Sequence, residues 1–158
     1  MTETTMKFKV MTTIFALVLV AGVVLSRGAA SVSASNGRNG QLHVTKACTA
    51  YNGTAGSYCS IESSDLAEIP VGTRVYYDQA AGIPAGMLDS NVFLSVGTGN
   101  WAVGRCTLDL TTHLGLCTFS DGTGPLTGFR ARVDVSLDKN TGLFHWDGTY
   151  SFSSEPPR

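Results

Sequence analysis

The chain has 158 residues and a formal net charge of −1; 43% of it is apolar, only 15% is charged, and 18 residues are glycine. A charge fraction below the ~25% of ordinary soluble domains and a glycine share above ~7% favour turn-rich β structure over long salt-bridged helices. The length suits one domain, and without clustered Lys and Arg to release counterions, nucleic acid is not an expected partner.

Lys7 and Lys9 precede a stretch from Val10 to Leu25 that carries no charge, followed by small and polar residues as far as Ser35. The uncharged run falls short of the ~20 residues of a spanning helix. Basic, apolar and small-residue regions in that order are those of a secretory signal peptide. Residues 1–34 are therefore read as a leader cleaved after Ala34, with Ala30 as the alternative site and a retained N-terminal anchor as the competing reading. The mature protein is expected to be secreted, periplasmic or at the cell surface, without stable membrane association. A disordered tail at 35–40 leads into the domain, and a second tail is expected at 153–158.

From residue 41 the sequence keeps a strand rhythm. Segments 41–51, 57–63, 73–79, 91–96, 101–109, 116–120, 129–137 and 143–152 each alternate or concentrate β-branched and aromatic residues, and Gly, Asn, Asp or Pro bound them. Residues 129–137 are the clearest: Phe129, Ala131, Val133, Val135 and Leu137 fall on one face, and Arg130, Arg132, Asp134 and Ser136 on the other. No helical period runs through the mature part, although Ser64-Asp65-Leu66-Ala67-Glu68 is read as one helical turn. The fold class is all-β. An eight-stranded antiparallel barrel is the leading architecture, because closure removes sheet edges, and a β-sandwich is the alternative.

Four cysteines lie along this rhythm, and the same spacing separates Cys48 from Cys59 and Cys106 from Cys117. Zinc ligands come in pairs about two to four residues apart, so no metal is expected. In a hairpin centred on Thr111-Thr112, Cys106 and Cys117 stand opposite one another. Cys48 and Cys59 do the same around the turn residues Asn52-Gly53-Thr54-Ala55-Gly56. Two local disulfides are preferred over the two other connectivities, and they suit an oxidising compartment.

Residues 121–129, Asp-Gly-Thr-Gly-Pro-Leu-Thr-Gly-Phe, supply a second motif. Taken alone, its glycines permit a tight bend, and Thr123 is placed to bond its own turn. With no Lys after the glycines and no following helix, it is not a phosphate loop. The stretch resembles the Gly-Gly-Thr-Gly-x-Phe/Leu-x-Gly segment of the allene oxide cyclase and dirigent proteins, which share a calycin-like eight-stranded barrel. The order of the surrounding elements is similar too. A Cys-x-x-Tyr opening strand is followed by residues 67–73, a Tyr-Tyr strand, Trp101-Ala102-Val103-Gly104-Arg105-Cys106 and a closing Trp146-Asp147-Gly148-Thr149-Tyr150-Ser151-Phe152. The resemblance covers about residues 41–152 and implies a secreted bacterial-type member. It implies a lumen that moulds a reactive ligand, as in closure of an unstable fatty-acid epoxide, phenoxy-radical coupling or polyketide cyclisation, and it implies a dimer or trimer. It requires no cofactor. The buried first-strand Glu of the plant cyclases has no counterpart between Gln41 and Ala50.

Polar candidates for a lumenal site are Tyr76 and Asp78, which share a strand face with Arg74, and Arg105 on a face with Trp101, Val103 and Thr107. Inside, Asp78 would be a desolvated acid or base beside a phenol and Arg105 a carboxylate binder; outside, they are a solvated surface, with Arg105 beside Asp109. Outward placement is preferred. Trp101, Trp146 and Tyr150 are the aromatic ligand-binding candidates, although the row Phe144, Trp146, Tyr150 and Phe152 reads first as core. His43, His113 and His145 form no metal or triad spacing. Two functions of different class stay open. One is a barrel that binds a small apolar ligand or serves as an interaction module; the other is a cyclase or stereochemical guide, whose mark would be a buried Asp near Tyr or Arg.

Overall fold

The computed structural model describes residues 38–153; the leader read at 1–34 and the outer parts of both tails lie outside the described residues. Eight strands follow in chain order: β1 (Asn39–Ala47), β2 (Tyr58–Ser64), β3 (Arg74–Tyr77), β4 (Met87–Gly97), β5 (Asn100–Asp109), β6 (Gly115–Gly122), β7 (Phe129–Asp138) and β8 (Leu143–Phe152). Each pairs antiparallel with the next and β8 pairs with β1, so the sheet is a closed barrel and not a sandwich. Among the described residues no helix is long and apolar enough to cross a membrane.

Alternation decides which side chains fill the lumen. On β7, Phe129, Ala131, Val133 and Val135 are buried while Arg130, Arg132 and Asp134 are exposed. The same rule sends Leu42 and Val44 of β1, Val75 of β3, Leu94 of β4 and Trp146 of β8 inward. Phe119 sits at the centre, its ring 5.2 Å from Trp146 and 6.2 Å from Phe129. Each such aromatic contributes about 2–3 kcal/mol by leaving water. Gly104 makes room for this ring: a Cβ there would stand 2.7 Å from Phe119 Cδ1 and would collide with the Thr118 carbonyl. Gly104→Ala is accordingly expected to lower the unfolding free energy by about 2 kcal/mol, read from urea denaturation, and an unchanged midpoint would contradict this packing.

Both expected disulfides are formed, Cys48 to Cys59 and Cys106 to Cys117. Cys106 faces Cys117 in the β5–β6 ladder, with Thr107 opposite Leu116 and Arg105 opposite Thr118, the register that a hairpin centred on Thr111-Thr112 requires. The strand order agrees with the sequence reading, but several boundaries move. β1 starts inside the stretch read as tail, because Asn39 and Gly40 pair with Ser151 and Tyr150 of β8. It ends at Ala47, where the 48–56 turn begins. β4 starts at Met87, since the residues before Asn91 continue the ladder against β5 as far as Asp109. The expected helical turn at 64–68 is an irregular loop: the Ser64 hydroxyl accepts from the Leu66 amide at 3.1 Å, competing with helical bonding.

The two ends of the barrel differ. At one end Leu66 and Ile69 from the β2–β3 loop and Leu126 from a 3-10 turn at Gly124–Leu126 are buried as a plug over Phe129 and Phe152. The 121–129 motif belongs to this plug, a structural role. Gly128 takes φ 74°, and a Cβ there would press on the Ser153 backbone. The Thr123 side chain does not bond its own turn. Its hydroxyl donates to the Gly99 carbonyl at 2.9 Å and accepts from the Trp101 amide at 3.1 Å, which fastens the motif to the β4–β5 turn. The opposite end carries both disulfides and is less completely filled.

Candidate functional site

Lys46 follows Leu42 and Val44 on the inward face of β1, so the strand drives its side chain into the barrel, where it is 3% exposed. Beside it β2 carries one extra residue: Thr45 pairs with Ser63 but Lys46 pairs with Ile61, leaving Glu62 as a bulge. Tyr77, in line with Val75 on β3, is 2% exposed. Lys46 Nζ donates to the Tyr77 hydroxyl at 2.5 Å. It also lies 4.6 Å from the Trp146 ring, 5.3 Å from the Tyr77 ring and 5.7 Å from the Phe144 ring.

Among the described residues, three rings and one phenolic oxygen are the partners of this amine. Among the described residues the buried polar or charged side chains are Lys46, Ser57, Thr73 and Ser90, with no carboxylate among them. Burial therefore pushes Lys46 down to about 7 and raises the Tyr77 phenol above its usual range, with a smaller push from Tyr51 in the same direction. Aromatic faces attract a cation but do not replace its lost hydration.

Next to the amine is a cavity of about 50 Å³ whose walls include both disulfides, Tyr51, Leu88, Leu108 and Phe144. Cys48, Tyr51 and Phe144 are only half-buried, which places the opening at the disulfide end. The space suits roughly three to four heavy atoms, from the 10–15 Å³ a water centre needs. The Tyr51 ring stands edge-on to Tyr77 at 5.1 Å, and its buried hydroxyl has no hydrogen-bond partner. The Trp146 Nε1 is also buried and unpartnered. Chemically the site is an apolar recess with a single amine and spare donors, suited to a small ligand that brings its own oxygen acceptor.

The lumenal candidates from the sequence fall elsewhere. Tyr76, Asp78 and Arg105 stand on the outer face, because Val75 and Tyr77 take the inward side of β3, and Ala102 and Cys106 that of β5. Tyr76 accepts from Arg74 Nη1 at 3.3 Å and packs on Tyr58 at 5.3 Å. Asp78 accepts from Ser90 Oγ and Asn91 Nδ2 at 3.2 and 3.1 Å. Arg105 pairs with Asp89 at 2.8 Å, not with Asp109, because β4 lies alongside and puts Asn91 directly opposite. Trp101 is also outside, stacked on Phe93 at 5.5 Å. Tyr150 pairs with Gly40 toward the plugged end and meets Phe152 edge-on at 5.9 Å. Of all the named candidates only the cysteines line the cavity, and Trp146 meets it through Lys46, whose Nζ lies 4.6 Å from the ring. Lys46, Tyr77 and Tyr51 were not singled out, although a lysine in the apolar register of Leu42 and Val44 is a visible signal.

Among the described residues no group of three or more His, Cys, Asp or Glu is placed to hold a metal ion. No family model matches the chain, and neither the curated proteins nor the solved structures contain a match to it.

Proposed function

We propose that this protein is an exported, disulfide-stapled barrel that binds a small apolar ligand through one oxygen acceptor in the cavity at its disulfide end. The carrying observation is the Lys46 amine, buried in an otherwise apolar recess with Tyr77 as its one hydrogen-bonding neighbour. Export is supported by the leader-like order of residues 1–34 and by two disulfides, bonds that persist in oxidising compartments. The closed eight-stranded barrel supports the resemblance to the allene oxide cyclase and dirigent proteins at the level of fold, which by itself assigns no substrate. Binding is favoured over cyclisation because no carboxylate is among the buried polar groups that could move a proton in the lumen.

Titration with acetate, whose four heavy atoms match the cavity, followed by calorimetry and tryptophan fluorescence, tests the proposal. Saturable one-to-one binding is expected, tighter at pH 6 than at pH 8, because an ammonium at Lys46 prevails below about 7. Lys46→Met should weaken it by tenfold or more, the worth of a charge-assisted hydrogen bond. Absence of saturable binding, or equal binding by Lys46→Met, would sink it.

A further inference from the structure

We infer that Lys46 is a carbonyl-reactive amine, and that the cavity holds short aliphatic aldehydes as a reversible imine on its Nζ. This rests on the reading that the cavity admits a small ligand, and it adds the ligand's chemical class. Three features of the geometry carry it. The amine is buried but borders a space of about 50 Å³ that opens at the disulfide end. Besides Lys46 its walls are the two disulfides, aliphatic side chains, aromatic rings and Thr107, so a short alkyl chain fits them. The Tyr77 hydroxyl sits within hydrogen-bond reach of Nζ, positioned to pass a proton to and from the reacting oxygen.

Condensation needs the free amine, and here nothing holds the proton on. The titratable groups facing Nζ from the packed strands and the β1–β2 turn are Tyr77 and Tyr51, both phenols, with no Asp or Glu in the cavity wall. Burial lowers Lys46 to about 7, so a large share is unprotonated near neutral pH. The other lysine among the described residues, Lys139, is exposed in the β7–β8 turn.

The reaction balances without oxidant or cofactor. The Nζ lone pair forms a bond to the aldehyde carbon, the carbonyl π pair moves to oxygen, and one of the two Nζ protons passes to that oxygen with Tyr77 as relay. The carbinolamine oxygen then takes a second proton from Tyr77 and leaves as water, nitrogen shares its lone pair to make the C=N bond, and the remaining Nζ proton returns to Tyr77. Water and an imine replace the aldehyde and the amine, and addition of water reverses the sequence.

Reductive trapping tests this on the purified protein. Propanal with cyanoborohydride at pH 7.5, followed by peptide mapping, should alkylate Lys46 at least tenfold faster than Lys139, and the Lys46 rate itself should fall several-fold at pH 6. In guanidinium the two lysines should react at similar rates. Equal labelling in the folded protein, or faster labelling of Lys139, overturns the inference, as does a preference that survives unfolding. Tyr77→Phe should slow trapping several-fold, and an unchanged rate removes the relay. If acetate binds but Lys46 resists propanal, only this inference fails; if neither engages the cavity, the ligand-binding reading fails with it.

Discussion

Reducing both disulfides is expected to lower the unfolding free energy by about 6 kcal/mol, a large fraction of the roughly 5–15 kcal/mol that holds a domain together. Each bridge joins residues with a sequence separation of 11. Closing a loop of that size removes unfolded-chain entropy worth about 3 kcal/mol in the chain-entropy model. The two losses are not interchangeable. Cys106–Cys117 lies within a ladder whose register is already set by the pairs around it, so its loss leaves β5 and β6 in place. Cys48–Cys59 spans the turn between β1 and β2, including Tyr51, one wall of the cavity. Replacing Cys48 and Cys59 by alanine should therefore perturb the cavity end as well as global stability, while the Cys106/Cys117 pair should act mainly on stability. Urea denaturation with and without phosphine reductant measures the sum, and a change below about 1 kcal/mol would contradict the stapling argument. Because both bridges line one cavity, the paired losses are expected to deviate from additivity.

The parts of this molecule that were legible in the sequence are those governed by local rules. Alternation along 129–137 named the buried face of β7 before any partner was known, and equal cysteine spacing about two turn signals predicted both bridges. The site was less legible because its residues contradict composition rules. Lysine is almost never fully buried, so Lys46 was passed over although it continues the series Leu42, Val44. Strand β3 carries a tyrosine on each face, and a side chain that is apolar in body and polar at its tip does not declare its own direction. Closure of the barrel decides it: Tyr77 faces in and Tyr76 faces out. Arg105 shows the remaining difficulty. Its partner Asp89 belongs to the neighbouring strand, and only the β4–β5 register brings the two together at 2.8 Å.

Replacing the buried amine should stabilise the protein in a pH-dependent way. At pH 6 Lys46→Met is expected to raise the unfolding free energy by about 2 kcal/mol, within the 1–4 kcal/mol seen when buried charges give way to apolar side chains. The sign follows from proton counting. Lys46 titrates near 7 when folded, against an ordinary value of 10.5. Below about pH 7 the lysine is protonated in both states, and folding bears the full cost of burying an ammonium. Between about 7 and 10.5 the unfolded chain still holds a proton that the folded chain has released, and stability rises with pH wherever the unfolded state binds more protons. The wild-type protein should thus gain roughly 3 kcal/mol between pH 6 and pH 9, at ~1.4 kcal/mol per pH unit of difference, and Lys46→Met should lose most of that slope. Tyr77 acts oppositely, but only above its ordinary value of 10.0 and so beyond a scan ending at pH 9; His43, held above its ordinary value by its hydrogen bond to Asp147, opposes the lysine inside the scan, and its part is what Lys46→Met retains. The single variant leaves the Tyr77 hydroxyl buried without a partner, at a cost of about 1–3 kcal/mol. Lys46→Met combined with Tyr77→Phe should therefore be more stable than either variant alone. Denaturation midpoints across pH 6–9 measure all of this. A protein that keeps its pH slope without Lys46, or that the double variant destabilises at pH 6, would show that the amine is hydrated and that the recess is not the dry site described above.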